Sequence, residues 1–544
     1  MQKTSVGSGD NQVYMNKKTG MTVFLVTLLI PFILIACSNI SNEIATGSYN
    51  DPVAISTYYL SVVNNKNIFV NNVDGYSLQV DKDMKVDMSY SSVYTVLENN
   101  EKRIEIFKQP LSDISKDRYI DYSNNFIENT ADHNIEYNGN QTISGRPVHV
   151  LSWNREKLSR VQNDKNYYLV LDIAEKSFVY TIFVKANKPI GILGEYEYLL
   201  NNFYSFKPTK SPYTHKTSPI NLEKKNWNQE TSDFYTRIFS EDASLTWGIY
   251  EPNTEMFDYQ PLNDLENYTN YSFPIILNYT NFENTYKYPN LKRRLDTAYN
   301  NGKTMELTLQ TNWKAKGTGN MVYDVLSGKY DMFLRDYALT IKDFGHPVIF
   351  RLGNEMNGDW CPYAGYNTSR DPMIFKEFYR YIYSIFEEAG VNNTIWVWNP
   401  NAESFPNFKW NDTLMYYPGD EYVDVVGLTA YNTGTYYDST GEKWQEFDEL
   451  YGNLYDEYYR NFGQPLMICE FASASHGGDK TQWVSNMFET IKYYPHIKVA
   501  IWWDGSDRDA NGNIARSYYI DDPVSVLEVF KRYLKQSWKL DSYA

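Results

Sequence analysis

Two glutamates in this chain follow directly on apolar runs. Glu355 comes just after VIFRL (348–352), in Arg351-Leu-Gly-Asn-Glu355. Glu470 ends Leu466-Met-Ile-Cys-Glu470. A carboxylate at the end of an apolar strand is costly to hold unless it has a partner or a task. Two that point into one mouth share a site. Paired carboxylates of this kind cleave glycosidic bonds: one donates a proton to the leaving oxygen and the other attacks the anomeric carbon. The plain alternative for either glutamate alone is a buried ion pair, with Arg351 for example.

The neighbours fit that chemistry. Tyr431, in Thr429-Ala-Tyr-Asn432, ends a further apolar run. It is placed to hydrogen-bond Glu470, and a bond to the charged form keeps a carboxylate ionised. Glu355 must instead stay protonated, which an apolar wall such as Trp360 favours. Trp360, Trp398, Trp502 and Trp503 lie at or near run ends and are candidate platforms for the C–H faces of sugar rings. Core packing is the competing reading for each, and the leading one for Trp247. Cys361 and Cys469 flank the two motifs and read as small packing residues. The stretch Asp507-Arg-Asp-Ala-Asn-Gly-Asn513 imitates the start of a calcium loop, but Tyr518 stands where that loop requires glutamate. It reads as an Asx-rich turn. The chemistry needs no metal and no organic cofactor.

Both glutamates require strands that deliver them to one place. Eight apolar runs recur, with helical stretches between them: 245–250, 275–279, 305–309, 348–352, 395–398, 423–430, 466–469 and 499–503. Continuous apolar strands separated by helices signal a parallel sheet covered on both faces. Eight such units over residues 240–536 predict a (β/α)8 barrel, whose active site lies at the C-terminal ends of its strands. A doubly wound open sheet is the competing architecture, and no Gly-rich phosphate loop supports it. One helix is predicted over residues 372–389, with Asp371 as N-cap, Pro372 at its first position and Gly390 beyond its end.

Residues 52–208 carry a different pattern. Short runs alternate apolar and polar residues at 76–80, 103–107, 148–152, 167–172 and 178–184. Period two predicts strands of a half-exposed sheet. Residues 196–206 read as a closing helix. This smaller α+β domain shows no catalytic constellation and reads as accessory, substrate-holding or spacing. Residues 209–239, rich in Pro, Lys and Thr, read as a linker.

A leader precedes both. Lys17 and Lys18 form a short basic region, and residues 21–36 are uncharged and almost wholly apolar. That run is short for a membrane span and suits a signal peptide. It ends in Leu34-Ile-Ala-Cys37, which resembles a bacterial lipobox with Cys37 as the lipid attachment point. An uncleaved N-terminal anchor is the alternative. Either places the rest of the chain outside the cytoplasm, on the outer face of the cell membrane for the lipidated form. Residues 1–37 are thus the leader and 38–51 a polar tether.

Composition bounds the reading. At 544 residues the chain exceeds one ordinary domain. Its 42% hydrophobic and 22% charged residues are those of a globular protein. Lys+Arg 51 against Asp+Glu 67 gives −16, which argues against a nucleic-acid binder. Three cysteines exclude a disulfide scaffold and a multi-cysteine metal centre, and six histidines leave little for another. Aromatic residues make up 17% of the chain, more than the four candidate platforms account for.

Three stretches carry a family resemblance: PVIFRLGNEMNGDW (347–360), GIYEP (248–252) and PLMICEFAS (465–473). They resemble glycoside hydrolase family 26, whose clan of barrels carries catalytic glutamates on strands four and seven. The resemblance covers residues 240–536. It implies a retaining, endo-acting hydrolase with Glu355 as general acid/base and Glu470 as nucleophile. Mannanases of that family usually carry His before the acid/base glutamate, where this chain has Asn354. In the wider clan, asparagine there hydrogen-bonds an equatorial 2-hydroxyl, as in glucose or xylose. Asn354 therefore tilts the expected substrate from mannan toward β-glucan, mixed-linkage (1,3;1,4)-β-glucan included. An endo-β-1,4-mannanase with the same pair is one alternative. A non-catalytic carbohydrate-binding lipoprotein is another, as is a surface protein whose N-terminal module binds a partner.

Overall fold

The structure is a computed structural model that describes residues 57–210 and 225–536, apart from positions 65, 113, 144, 284 and 286. The leader, the tether and Cys37 lie outside the described residues.

The N-terminal domain pairs two antiparallel sheets. The smaller has the order β1 (Tyr58–Val63), β2 (Lys66–Asn71), β3 (Tyr76–Val80), β11 (Phe203–Ser205). The larger contains β4 (Lys85–Asp87), β5 (Tyr94–Glu98), β6 (Lys102–Pro110), β7 (Asn134–Ile143), β8 (Arg146–Asn154), β9 (Tyr167–Ala174) and β10 (Phe178–Ala186). Its order is β4-β5-β6-β10-β9-β8-β7. Helix α1 (Lys116–Ser123) and helix α2 (Ile192–Asn202) complete the domain. The closing helix expected over 196–206 starts earlier and stops sooner. From Phe203 the chain turns extended and pairs with β3, because Phe203 stacks on Tyr76. One face of the larger sheet packs Ile104, Val150 and Leu171 against the smaller sheet and α2. The other face joins a core that continues into the second domain, through Tyr94, Trp153, Tyr168 and Phe183.

The second domain is a closed barrel of eight parallel strands in sequence order. They are β12 (Thr246–Tyr250), β13 (Ile275–Asn281), β14 (Thr304–Gln310), β15 (Val348–Leu352), β16 (Thr394–Trp398), β17 (Val425–Thr429), β18 (Leu466–Phe471) and β19 (Ile497–Trp503). Every apolar run read from the sequence holds one strand, because residues buried on both faces leave no room for alternation. β19 closes on β12, with Gly248 opposite Ile501. A Cβ at Gly248 would lie 2.9 Å from Ile501 and 3.0 Å from the Ile275 carbonyl, so glycine permits the closure.

Residues 229–239 correct the linker boundary. They form helix α3 (Gln229–Phe239), capped by the Asn228 side chain on the Thr231 amide. Phe234, Ile238 and Phe239 plug the barrel's lower end against Ile275, Ile349, Ile395 and Val499. Helix α4 (Pro372–Ala389) has the predicted ends: Asp371 accepts from the Met373 amide and Gly390 takes a left-handed φ of 69°. Among the described residues, no helix is long and apolar enough to cross a membrane.

Candidate active site

Arg351 on β15 organises the barrel mouth. It is fully buried, with Nη2 2.6 Å from Oε1 of Glu470 and Nε 2.9 Å from Oε1 of Glu306 on β14. Its Nε donates to Thr308 Oγ1 at 2.8 Å and its Nη1 to Asn399 Oδ1 at 3.0 Å. The guanidinium also lies over the Tyr279 ring, 5.6 Å from its centroid. A buried cation is tolerable when carboxylates and neutral acceptors surround it in this way.

Glu470 is 5% exposed at the end of β18. The strand register shifts there against both neighbours, an irregularity that re-aims side chains near a barrel rim. The second carboxylate oxygen, Oε2, accepts from the Tyr431 hydroxyl at 2.8 Å. Burial, then the Glu470 charge, pushes the Tyr431 hydroxyl well above its ordinary range, so tyrosine is the donor.

Glu355 follows a sharp reversal after β15. Gly353 and Glu355 both take left-handed φ values, 59° and 54°. For a glutamate that conformation costs about 1–2 kcal/mol. Its amide donates to the Asn399 carbonyl at 2.7 Å, which holds the turn. The residue keeps a partial opening to solvent. Burial of its carboxyl, and next the charge of Glu470, push it up to about 7. Trp360 Nε1 donates to Glu355 Oε2 at 3.1 Å. This corrects the expectation of an apolar wall, because that bond favours the charged form and desolvation is what opposes it.

Asn354 is buried. Its backbone carbonyl accepts from the Tyr363 hydroxyl at 2.6 Å, and Gln310 Nε2 donates to its Oδ1 at 2.6 Å. With Oδ1 engaged, the group Asn354 offers a ligand is its Nδ2 amide.

The aromatic residues divide. Trp360 is 43% exposed and packs on the equally exposed Phe405, ring centroids 5.3 Å apart. Trp503 is half-buried and stacks on Tyr250 at 5.2 Å, and its Nε1 donates to the Tyr279 hydroxyl at 3.2 Å. Trp398 and Trp502 do not reach the mouth. Both are fully buried, Trp398 against Tyr417 and Phe462, Trp502 against Phe471 and Phe530. Successive strand residues point to opposite faces, so Trp502 turns outward where Trp503 turns in. Trp247 is core as well, against Phe488.

The calcium-like stretch is the turn between two short strands. Asp509 Oδ1 accepts from the amides of Asn511 and Asn513 at 2.9 Å each. Among the described residues, no group of three His, Cys, Asp or Glu is placed to hold a metal ion. Cys361 and Cys469 are free and buried.

Sequence reasoning missed Glu306, Tyr279, Gln310, Asn399 and Tyr363. Glu306 had a signal: it is a charged residue inside the apolar run MELTL (305–309). Burial pushes its carboxyl up to about 7, with Arg351 opposing. The trio therefore holds two carboxyls around one cation, with Glu306 the more deeply buried of the two.

Residues 298–453 match the model described as Glycosyl hydrolase family 26. Endoglucanase H of Acetivibrio thermocellus is 33% identical over 211 residues, which are 38% of this chain and 22% of that protein. A mannan endo-1,4-beta-mannosidase of Bacillus subtilis is 38% identical over 108 residues, 19% of this chain and 28% of that protein. The chain thus spans about a quarter of the length of these curated relatives. Among solved structures, a GH26 beta-mannanase from Bacteroides ovatus is 18% identical with a TM-score of 0.43, over 58% of this chain and 96% of that one.

Proposed function

The chain belongs to glycosyl hydrolase family 26 through residues 298–453, and from that premise we propose that it is a retaining, endo-acting hydrolase of a β-linked polysaccharide. One observation carries the reading: the two carboxyls of the mouth stand in opposite electrostatic surroundings. Glu470 is paired with Arg351 and accepts from Tyr431. Glu355 is pushed up to about 7. The first is suited to attack and the second to carry a proton at neutral pH.

In the first step a Glu470 oxygen attacks the anomeric carbon, while Glu355 gives its proton to the departing glycosidic oxygen. A glycosyl ester forms on Glu470 and the shortened chain leaves. In the second step Glu355, now a carboxylate, takes a proton from water. That water attacks the same carbon and releases Glu470, with net retention. Arg351 and Tyr431 hold Glu470 in place throughout.

The preferred substrate is a β-glucan. Asn354 offers an amide donor at the position where the clan contacts an equatorial 2-hydroxyl. The match to an endoglucanase covers twice as much of this chain as the match to the mannosidase quoted above. The mannosidase match supports mannan as the second reading. Sugar release from mixed-linkage glucan, mannan and xylan, with Glu470→Ala and Glu355→Ala beside the wild type, tests both. We expect release from the glucan by the wild type alone, with the β-anomer appearing first by NMR. Equal release by wild type and Glu470→Ala overturns the enzyme reading. Release from mannan alone overturns the choice of substrate.

Cys37 is proposed as the lipid attachment point that holds the enzyme on the outer face of the membrane. The basic start, the apolar run and the Leu-Ile-Ala-Cys ending support it. Palmitate labelling of the wild type, absent in Cys37→Ser, is the expected outcome.

A further inference from the structure

The segment from Glu355 to Asp371 leaves the barrel at β15 and returns to it at α4, and the N-terminal domain grips it between. At its far end, Ser369 and Arg370 are fully buried with left-handed φ values of 59° and 55°. Two such residues in succession need outside support; the barrel's own Tyr323 hydroxyl gives part of it, 2.8 Å from Ser369 Oγ, and the other domain gives the rest. Ser369 Oγ is hydrogen-bonded to His133 Nε2 at 2.9 Å. Arg370 Nη2 donates to the Tyr119 hydroxyl at 2.9 Å, and its Nη1 lies 3.4 Å from Asp172. Asp371 pairs with Lys185 at 2.6 Å.

Nearer the glutamate, one N-terminal side chain reaches the loop. The Tyr122 hydroxyl, on α1, donates to Asp359 Oδ2. Its ring packs on Tyr366 at 5.1 Å and on Phe408 at 6.2 Å. The Asp359 carbonyl in turn accepts from Asn367 Nδ2 at 2.9 Å. Asp359 directly precedes Trp360, whose indole N–H is on Glu355. The path from α1 to the carboxyl of Glu355 thus runs through the Tyr122–Asp359 hydrogen bond, the peptide bond to Trp360 and the indole N–H on Glu355.

We propose that the N-terminal domain is a working part of the catalytic site, with Tyr122 a positioning residue that sets, through Asp359, the pose of the Trp360 indole on Glu355. The inference rests on reading Glu355 as the acid/base. It replaces the spacer reading of residues 52–208: the domain braces the loop that carries the proton donor. The indole N–H favours the charged form of Glu355, so loosening it makes Glu355 hold its proton to higher pH.

The test is the pH dependence of kcat/KM on the full chain. Tyr122→Phe removes the hydroxyl and keeps both ring contacts. We expect kcat to fall by about tenfold, KM to stay within a factor of two to three, and the alkaline limb to move to higher pH. Asp359→Ala should give the same shift, and the double variant no more than either. Ser123→Ala removes the acceptor of Trp410 Nε1 in the same interface, and it should leave the limb in place. A Tyr122→Phe profile that matches the wild type, or moves no further than Ser123→Ala, overturns the proposal. If Tyr122→Phe fails to fold, Asp359→Ala decides on the same readout. Should the wild type hydrolyse no glycan, or Glu355→Gln keep the alkaline limb, it is the acid/base reading that has failed.

Discussion

Arg351 Nη2 lies 2.6 Å from Oε1 of Glu470, and the same guanidinium stands 2.9 Å from Glu306. That sharing splits the charges of the mouth unevenly. Glu470 has a cation and a tyrosine hydroxyl on its two oxygens. Glu355 has an indole N–H, a desolvated carboxyl and the repulsion of Glu470. The asymmetry follows from strand order: Glu306, Arg351 and Glu470 come from β14, β15 and β18, which converge at one end of a closed barrel.

Replacing Arg351 by Met should therefore do two things. Two buried carboxyls would face each other without their cation, which costs about 3–5 kcal/mol of stability. Activity should fall with it, since Glu470 loses the group that fixes Oε1. Urea unfolding at neutral pH and glycan release on the folded fraction measure the two effects. Adding Glu306→Gln to Arg351→Met should recover part of the stability, because only one carboxyl is then left in the mouth without its cation, and none of the activity.

The acid/base assignment predicts the shape of the pH profile. Glu355 must enter the reaction protonated, and its carboxyl is pushed up to about 7. Activity should thus fall on the alkaline side as pH rises through that value. In Glu355→Gln the limb should vanish along with most of the activity on unactivated glycans. Aryl glycosides with good leaving groups need less proton donation, so their loss should be smaller. A limb that persists in Glu355→Gln on such a substrate would assign it to another group.

The barrel was legible because strands buried on both faces leave continuous apolar runs, and because two acids at the ends of such runs violate the cost of burying charge. What stayed hidden depends on contacts between distant residues. Gln229–Phe239 falls in a Lys- and Thr-rich neighbourhood, and only the barrel's lower opening shows what its Phe234, Ile238 and Phe239 are for. Trp398 and Trp502 were indistinguishable from Trp503 in sequence, since facing inward or outward is set by strand register. Arg370 bonds Tyr119 and Asp172, each some two hundred residues away in sequence. No local pattern marks either end of such a bond.

The tryptophans give a direct test of that register. Trp398 is core, so Trp398→Ala should lower stability by about 3–5 kcal/mol and leave KM of the folded enzyme unchanged. Trp503 stacks on Tyr250 at the mouth. Trp503→Ala should raise KM with a smaller loss of stability. Thermal melts beside steady-state kinetics on the same polysaccharide separate the two. A raised KM in Trp398→Ala at unchanged stability would return that ring to the substrate path.

The lower end of the barrel should carry its own pH dependence, away from the proposed catalytic pair. Asp424 precedes β17 and is 3% exposed; its Oδ2 accepts from the Trp396 amide at 2.7 Å and its Oδ1 lies 3.4 Å from Lys225. Burial pushes its carboxyl up to about 6, against the partial opposition of Lys225. In the unfolded chain an aspartate titrates near about 3.9. Between those values the folded state binds the proton that the unfolded state has lost. Stability from this group is therefore full below about pH 4 and declines as pH rises toward 6. The decline is at most about 3 kcal/mol. Asp424→Asn keeps an oxygen for the Trp396 amide and cannot titrate. Its unfolding free energy should change less than that of the wild type between pH 4 and pH 7, with the pH profile of activity unaltered. Parallel stability slopes in the two proteins would mean that Lys225 holds Asp424 ionised across that range.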